Sequence, residues 1–447
     1  MKSLKKFDYG IMFFLLFLSV FLSKKSYPFI GTADGFKRLW IAAHSEIEST
    51  FSVLPPLQSY IFRAFLFMTG DIWFYTILQS FLFYLCTYIS IKFIFRNSLT
   101  AISSLILLIS FPVFSIFPLI LTDSSIIYAF IAIFPALVCF CNNNIGAKKY
   151  LGYAILFFVT TAIFGFRFNA VIVAPVMLCV IFLYHKQKLY IPLSIILASI
   201  VFTSLINKDV RKDYKPEALG MAWELVSLAR NNPNEEFIHK LDFCGDTKAA
   251  LTRFNPMALN SIFWDANPPL PVECIVSDEG SEKVKQSYSL AWKNNFSEIF
   301  KVKLGMWSNI FGISQPLMQI EHGINSVEKN AIEWGAKDNE DNTQIRYYFS
   351  KAGNETRNIT LRPVVSFVLL GMSILLILFF NKKAFIPTVI MSSFSLFYYC
   401  GFMISAQSME FRYFAPSFFI NCLITVSSIV YISGHLMKKK TLKYQNV

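Results

Sequence analysis

Two isolated carboxylates and two arginines in apolar surroundings set out the chemistry this chain can offer. Asp34 lies in a short stretch between Gly31 and Gly35, ahead of aromatic sequence and Pro55-Pro56. Asp123 stands alone as an acid in a long apolar region, where a carboxylate is by default functional or paired. Either one can act as a base that takes the proton from a hydroxyl. Arg167 sits with Asn169 in the turn 164–169, and Arg412 sits with Glu410, Tyr413 and Pro416 in the segment 407–416. The planar guanidinium fork matches phosphate oxygens, so these two positions read as phosphate grips. Each residue also has a structural reading. Asp34 can be a solvated loop acid, and Asp123 with Thr122 and Ser124 can cap a helix. Arg412 can pair with Glu410, and Arg167 with Asp123.

The elements that must hold these residues are membrane helices. The 447 residues are 55% hydrophobic, 17% aromatic and 15% charged, against about 25% charged in a soluble globular chain. Apolar stretches long enough to cross a hydrocarbon core of about 30 Å recur at both ends of the chain. The spans are read at 8–23, 72–95, 99–121, 124–141, 150–166, 168–184, 189–206, 363–380, 384–404 and 414–434. Pro112 and Pro118 interrupt the third, so a shorter helix followed by irregular backbone is expected there. The fold class is therefore an all-α polytopic membrane protein of about ten transmembrane helices with a mainly helical outer domain. Residues 1–206 form an N-terminal bundle of about seven spans with an outer loop at 24–71. Residues 207–361 form a large loop domain, and 362–447 add about three spans and a basic tail.

Charge fixes the expected orientation. Lys2, Lys5, Lys6, Lys92, Arg96, Lys148, Lys149, Lys186, Lys188, Lys382, Lys383, Lys438, Lys439, Lys440 and Lys443 gather on one side, which the positive-inside rule makes the cytoplasm, with both termini in it. Of the 28 acids, 21 fall within 207–361, and of the rest only Asp8 lies on the basic side. The net charge of +13 is thus a topology signal and no nucleic-acid footprint. The cytoplasmic loops contain no glycine-rich phosphate loop and no metal-binding carboxylate set. Chemistry therefore faces outward, where no nucleotide pool exists, and an activated substrate must arrive anchored in lipid.

The loop domain has soluble composition, with 18 Lys and Arg against 21 acids. Helix-like segments are read at 216–230 and 287–311. The second carries Tyr288, Trp292, Phe296, Ile299, Phe300, Leu304, Trp307 and Phe311 near helical spacing, either as an interfacial stripe on headgroups or as packing within the domain. Cys244 and Cys274 are the only cysteines in this loop, and in an oxidising compartment they are expected to form a disulfide. The five histidines are dispersed without a zinc motif.

Together, Asp34, Asp123, Arg167 with Asn169, and the segment Glu410, Arg412, Tyr413 and Pro416 resemble the motifs of the GT-C superfamily of membrane glycosyltransferases. Size, topology and the long outer loop look most like the serotype-converting O-antigen glucosyltransferases of the Gtr type. The resemblance covers the membrane regions and not 207–361. It implies inverting transfer of a sugar, with glucose first in order, from a polyprenyl-phosphate donor to a surface glycan at the periplasmic face of a bacterial inner membrane. Asp34 and Asp123 would be the catalytic acids, and Arg167, Arg412 and Tyr413 would bind the donor phosphate with Glu410 and Asn169 in support. A small flippase and a polyprenyl-phosphate glucosyltransferase would act upstream. No cofactor is implied, but many members carry paired acids where this chain has Asp34-Gly35, which leaves open whether Asp34 acts alone and whether a divalent metal is bound. An O-antigen or capsule polymerase or ligase, a transporter or flippase, and a non-enzymatic membrane protein stand as alternatives.

Overall fold

A computed structural model of the chain describes residues 2–25, 30–31, 42, 56–111, 113–114, 120–121, 123–142, 147–184, 190–208, 215, 217–231, 244–257, 260–263, 267–317, 361–405, 409 and 411–445. The first half comprises α1 (Lys2–Lys25), β1 (Ile30–Gly31), α2 (Leu57–Thr69), α3 (Trp73–Phe95), α4 (Ser98–Ser110), β2 (Ile120–Leu121), α5 (Asp123–Asn142), α6 (Ala147–Phe166), a 3-10 turn (Phe168–Val173), α7 (Ala174–Tyr184) and α8 (Tyr190–Lys208). The loop domain contributes α9 (Glu217–Asn231), α10 (Thr247–Arg253), α11 (Asn260–Phe263), α12 (Val272–Val276), α13 (Asp278–Asn294) and α14 (Phe296–Ile310). The chain closes with α15 (Pro363–Phe380), α16 (Lys382–Ser405) and α17 (Phe411–Gln445).

Among the described residues, Trp73–Phe95, Pro363–Phe380, Lys382–Gly401 and Tyr413–Lys438 are long and apolar enough to cross a membrane. The chain is thus a helical membrane protein. Shorter apolar helices run over Ser98–Ser110, Ile127–Leu137, Tyr150–Phe166, Ala170–Phe182 and Tyr190–Ile206. Large apolar side chains stand exposed along α1 (Phe13, Phe14, Phe17) and α15 (Met372, Leu375, Phe379). Apolar faces of that extent fit lipid rather than water.

The helix end expected before Pro112 is present, and two other expected segments are corrected. The third span is, as its prolines indicate, no single helix. Asn97 caps α4 by accepting from the Leu99 amide at 3.0 Å, and α4 ends at Ser110, with Phe111 already extended because the residue before Pro112 is driven out of helical geometry. The span read at 168–184 opens as a 3-10 turn before becoming α7. The segment 287–311 is two helices broken at Asn295, whose φ of −130° and ψ of 40° leave the helical region.

The core depends on α17, which packs against α3, α4, α5, α15 and α16. Phe418 and Phe419 of α17 meet Phe114, and Phe419 also meets Phe83 of α3, with ring centroids 4.5–6.4 Å apart. Polar contacts add register. The Asn421 side chain accepts from Ser395 at 2.6 Å and donates to Ser366 at 3.0 Å, joining α15, α16 and α17. Thr160 and Ser199 join α6 to α8 at 2.6 Å. Such bonds contribute about 0.6 kcal/mol each in membranes.

The helix ends sort into two poles. At one, Lys92 pairs with Asp8 at 2.5 Å, the Tyr88 hydroxyl donates to Asp8 at 2.8 Å, Phe95 contacts Tyr431 and Phe380 contacts His435. This pole gathers the basic ends of α1, α3, α16 and α17, and Asp8, the acid expected on the basic side, has a cationic partner there. The loop domain sits at the other pole. Helix α2 also belongs to that pole. It starts where Leu57 packs on Gly165 near the end of α6 and ends where the chain turns into the start of α3. Its 13 residues span about 20 Å, so it lies across the end of the bundle. It buries Gln58 and Ser59 and exposes Phe67 and Met68.

Within the loop domain α9 is central, contacting α10, α12, α13 and α14. Trp223 is fully buried, and its indole donates to the Asn255 carbonyl at 3.1 Å. A disulfide joins Cys244 to Cys274, 30 residues apart, a closure worth roughly 3.5–4 kcal/mol in the chain-entropy description. A Cβ at Gly280 would lie 1.9 Å from the Cys274 carbonyl oxygen, so this approach of α13 to the bridge requires glycine.

Candidate functional site

The pole that carries the loop domain, which the charge asymmetry leads one to expect as the outer one, brings together segments far apart in sequence. The two-residue strands β1 and β2 pair in parallel, with Ile30 opposite Ile120 and Gly31 opposite Leu121. That pairing sets the chain leading to Asp34 beside the chain leading to Asp123. Asp34 itself lies outside the described residues. Asp123 is the first residue of α5; its side chain is outside the described set, but its backbone places it in the opening turn, where the helix dipole favours a negative charge.

Arg167 links α6 to the 3-10 turn in an extended conformation, φ −145° and ψ 123°. Its guanidinium carbon lies 5.0 Å from the centroid of the Tyr413 ring. Cation–π contacts of this kind contribute about 0.5–2 kcal/mol. The backbone explains how the two meet. Gly401 of α16 sits against Ile172 so closely that a Cβ there would be 2.4 Å from Cγ2, which brings the end of α16 onto the 3-10 turn that follows Arg167. Tyr413 lies in the first turn of α17, with Phe411, Phe414 and Ala415 buried around it. Pro416, lacking an N–H, cannot donate to the carbonyl of Arg412 four residues earlier.

Of the other predicted site residues, Glu410 lies outside the described residues. For Arg412 and Asn169 the backbone is described, in α17 and in the 3-10 turn respectively, and the side chains are not. The structure therefore joins Arg167 to Tyr413, and joins the segments leading to Asp34 and Asp123.

Two further contacts at this pole carry no sequence signal. The Met409 amide donates to the Met257 carbonyl at 2.7 Å, tying the segment before Tyr413 to the loop domain. Tyr399 donates its hydroxyl to the carbonyl of Ile310 at the end of α14 and packs on Phe311, Phe367 and Phe414, forming an aromatic collar beneath the loop domain. Spacing within α16 marks Tyr399 only as one more buried aromatic.

Among the described residues no three His, Cys, Asp or Glu side chains gather as metal ligands do. The arrangement supplies a cation held on an aromatic ring at the boundary between bundle and loop domain, on the pole where β1 and β2 pair. Comparison with protein-family models, curated proteins and solved structures finds no match for the chain.

Proposed function

We propose that the protein is a membrane glycosyltransferase of GT-C type that transfers a sugar from a polyprenyl-phosphate donor to a surface glycan. In this reading about ten helices cross a bacterial inner membrane, the basic pole with both termini faces the cytoplasm, and the loop domain faces the periplasm. The observation that carries the reading is the convergence at one pole of four outer segments, through the Ile30–Ile120 pairing, the Arg167–Tyr413 contact and the Met409–Met257 bond. A site at that level meets a lipid-linked donor at the headgroup boundary and an acceptor glycan under the loop domain.

The reaction follows from the residue types. An acceptor hydroxyl attacks the anomeric carbon as the bond from that carbon to the phosphate oxygen breaks. Asp34 takes the hydroxyl proton, and the leaving polyprenyl phosphate keeps the electron pair. Arg167 and Arg412 stabilise the charge that accumulates on that phosphate, with Asp123, Glu410 and Asn169 supporting the acid and the grip. A transporter would instead concentrate charges at mid-bilayer; among the described residues the buried polar groups of the apolar helices are Ser, Thr, Gln and Asn.

The test uses membranes containing the full chain, polyprenyl-phosphate-linked glucose with a labelled sugar, and lipopolysaccharide as acceptor. Asp34→Asn should reduce transfer at least a hundredfold, in line with the loss of a general base, at unchanged protein level. Transfer near the wild-type rate in that variant would overturn the assignment of Asp34.

A further inference from the structure

The segment expected to be one amphipathic helix turns out to have two distinct faces once it is broken at Asn295. In α14 the residues Ile299, Val302, Met306 and Ile310 are buried, turned toward α9. Phe300, Leu304 and Phe311 recur at spacings of four and seven residues, which places them on a second stripe. Phe296, one turn before Phe300, extends it, and the two rings stack with an interplanar angle of 10°.

The two ends of this stripe meet different surroundings. Phe311 packs against Phe367 of α15 and Tyr399 of α16, centroids 6.1 and 5.5 Å away. Backbone bonds reinforce the junction: the Val364 amide donates to the Phe311 carbonyl at 2.9 Å, and Arg362 donates to the Gly312 carbonyl at 2.6 Å. Gly312 has φ +66°, and a Cβ there would be 2.8 Å from the Arg362 Cα, so only glycine lets α14 close onto the foot of α15. The face carrying the stripe is therefore the one turned to the membrane helices. Further along it Leu304, Phe300 and Phe296 are 46%, 42% and 61% exposed, and Ile313 beside the junction is also exposed. The exposed face of α15 below continues the same apolar surface through Val368, Leu369 and Met372.

We infer that the stripe Phe296, Phe300 and Leu304 lies in the headgroup and upper acyl region of the bilayer, making α14 an interfacial helix that sets the loop domain down on phospholipid. An apolar ridge continuous with a lipid-facing helix, and flanked by exposed lysines, has the composition of such helices. Lys293 flanks it and is exposed, which suits anionic headgroups; Lys301, also exposed, is paired with Glu298 at 2.8 Å. The ring pair Phe296–Phe300 is also a shape on which a sugar could stack, but the aliphatic Leu304 and Ile313 and the junction with α15 favour lipid. The inference holds whichever reaction the outer pole performs.

The full chain, with the photoreactive residue p-benzoylphenylalanine at position 300 or at position 304, is reconstituted in nanodiscs of phosphatidylethanolamine and phosphatidylglycerol and irradiated. Intact-mass measurement should show a phospholipid adduct at both positions. The same residue at position 282, exposed on α13, should give several-fold less. A lipid yield at 300 and 304 no higher than at 282 would overturn the inference, and so would adducts that carry a second copy of the chain or an added glycan in place of phospholipid.

Discussion

Removing the ammonium of Lys303 should open the loop domain from its centre. Lys303 pairs with Glu224, whose other oxygen accepts from the Tyr288 hydroxyl at 2.6 Å. The side chains of Lys303 and Glu224 are 14% and 6% exposed, so water cannot replace a lost partner. The three residues come from α14, α9 and α13, which makes the cluster the point where those helices register. Breaking a buried pair by deleting one partner costs about 3–5 kcal/mol, because the remaining charge stays buried. The partial exposure of Lys303 argues for the lower end, about 3 kcal/mol, which is roughly a hundredfold in a local opening equilibrium.

The chemistry also predicts an order among variants. Lys303→Met leaves the Glu224 carboxylate with only a phenol and should be the worst. Glu224→Gln keeps an acceptor for Tyr288, and the stranded ammonium lies nearer the surface, so about 1–2 kcal/mol is expected. Replacing all three by apolar residues of similar size, Glu224→Leu with Tyr288→Phe and Lys303→Met, removes every buried polar group at once and should recover to within about 1 kcal/mol of wild type. A chain with two regions of different solvation does not unfold as one unit. The assay is therefore hydrogen exchange of the α9 amides, followed by mass spectrometry on the reconstituted full chain. Exchange in Lys303→Met within about threefold of wild type, or a triple variant as open as the single one, would refute this account of the cluster.

Two more outcomes follow from named contacts. Burial and the neighbouring Glu224 carboxylate push the Tyr288 phenol above its ordinary range, so the folded domain holds this proton after the unfolded chain has released it; its contribution to stability is complete below about pH 10 and declines as pH rises beyond that, and α9 exchange, corrected for its intrinsic pH dependence, should show protection level through neutral pH and falling only in strong alkali. At the outer pole, Tyr413→Phe keeps the ring under Arg167 and should retain transfer, whereas Tyr413→Ala should raise KM for the lipid-linked donor several-fold, as expected from a contact of about 0.5–2 kcal/mol; equal defects in the two variants would mean that the hydroxyl itself holds the phosphate.

The parts of this structure that sequence reveals are those decided within a few residues. Pro112 announces the end of α4, because its ring forbids helical geometry at Phe111 whatever surrounds it. Composition alone marks the apolar helices, and counting cysteines in one loop is enough to pair Cys244 with Cys274, which the structure joins. The break at Asn295 escapes such reading because Phe296, Phe300 and Leu304 continue the apolar spacing of Tyr288 and Trp292 across it, so the periodicity reads as one helix through a point where the backbone turns. The contacts at the outer pole are invisible for a different reason. Ile30 with Ile120, Arg167 with Tyr413, and Met257 with Met409 are long-range pairs, and neither hydropathy nor helical period encodes which distant segment a helix end will meet.

What decides those pairs is the packing of α17. Its Phe418 and Phe419 interlock with rings from the first half of the chain, and its Asn421 bonds fix its height against α15 and α16. Tyr413 begins the same helix, two turns above Asn421, so the bundle core sets the level at which the ring meets Arg167. A substitution in that core should therefore displace the Arg167 platform although no residue of the platform itself is changed. The loop domain adds a second constraint from above, through Met257 on Met409 and Ile310 on Tyr399. A platform held from both sides needs no local sequence signature of its own, which is why the sequence singles out Tyr413 without indicating that Arg167 lies over its ring.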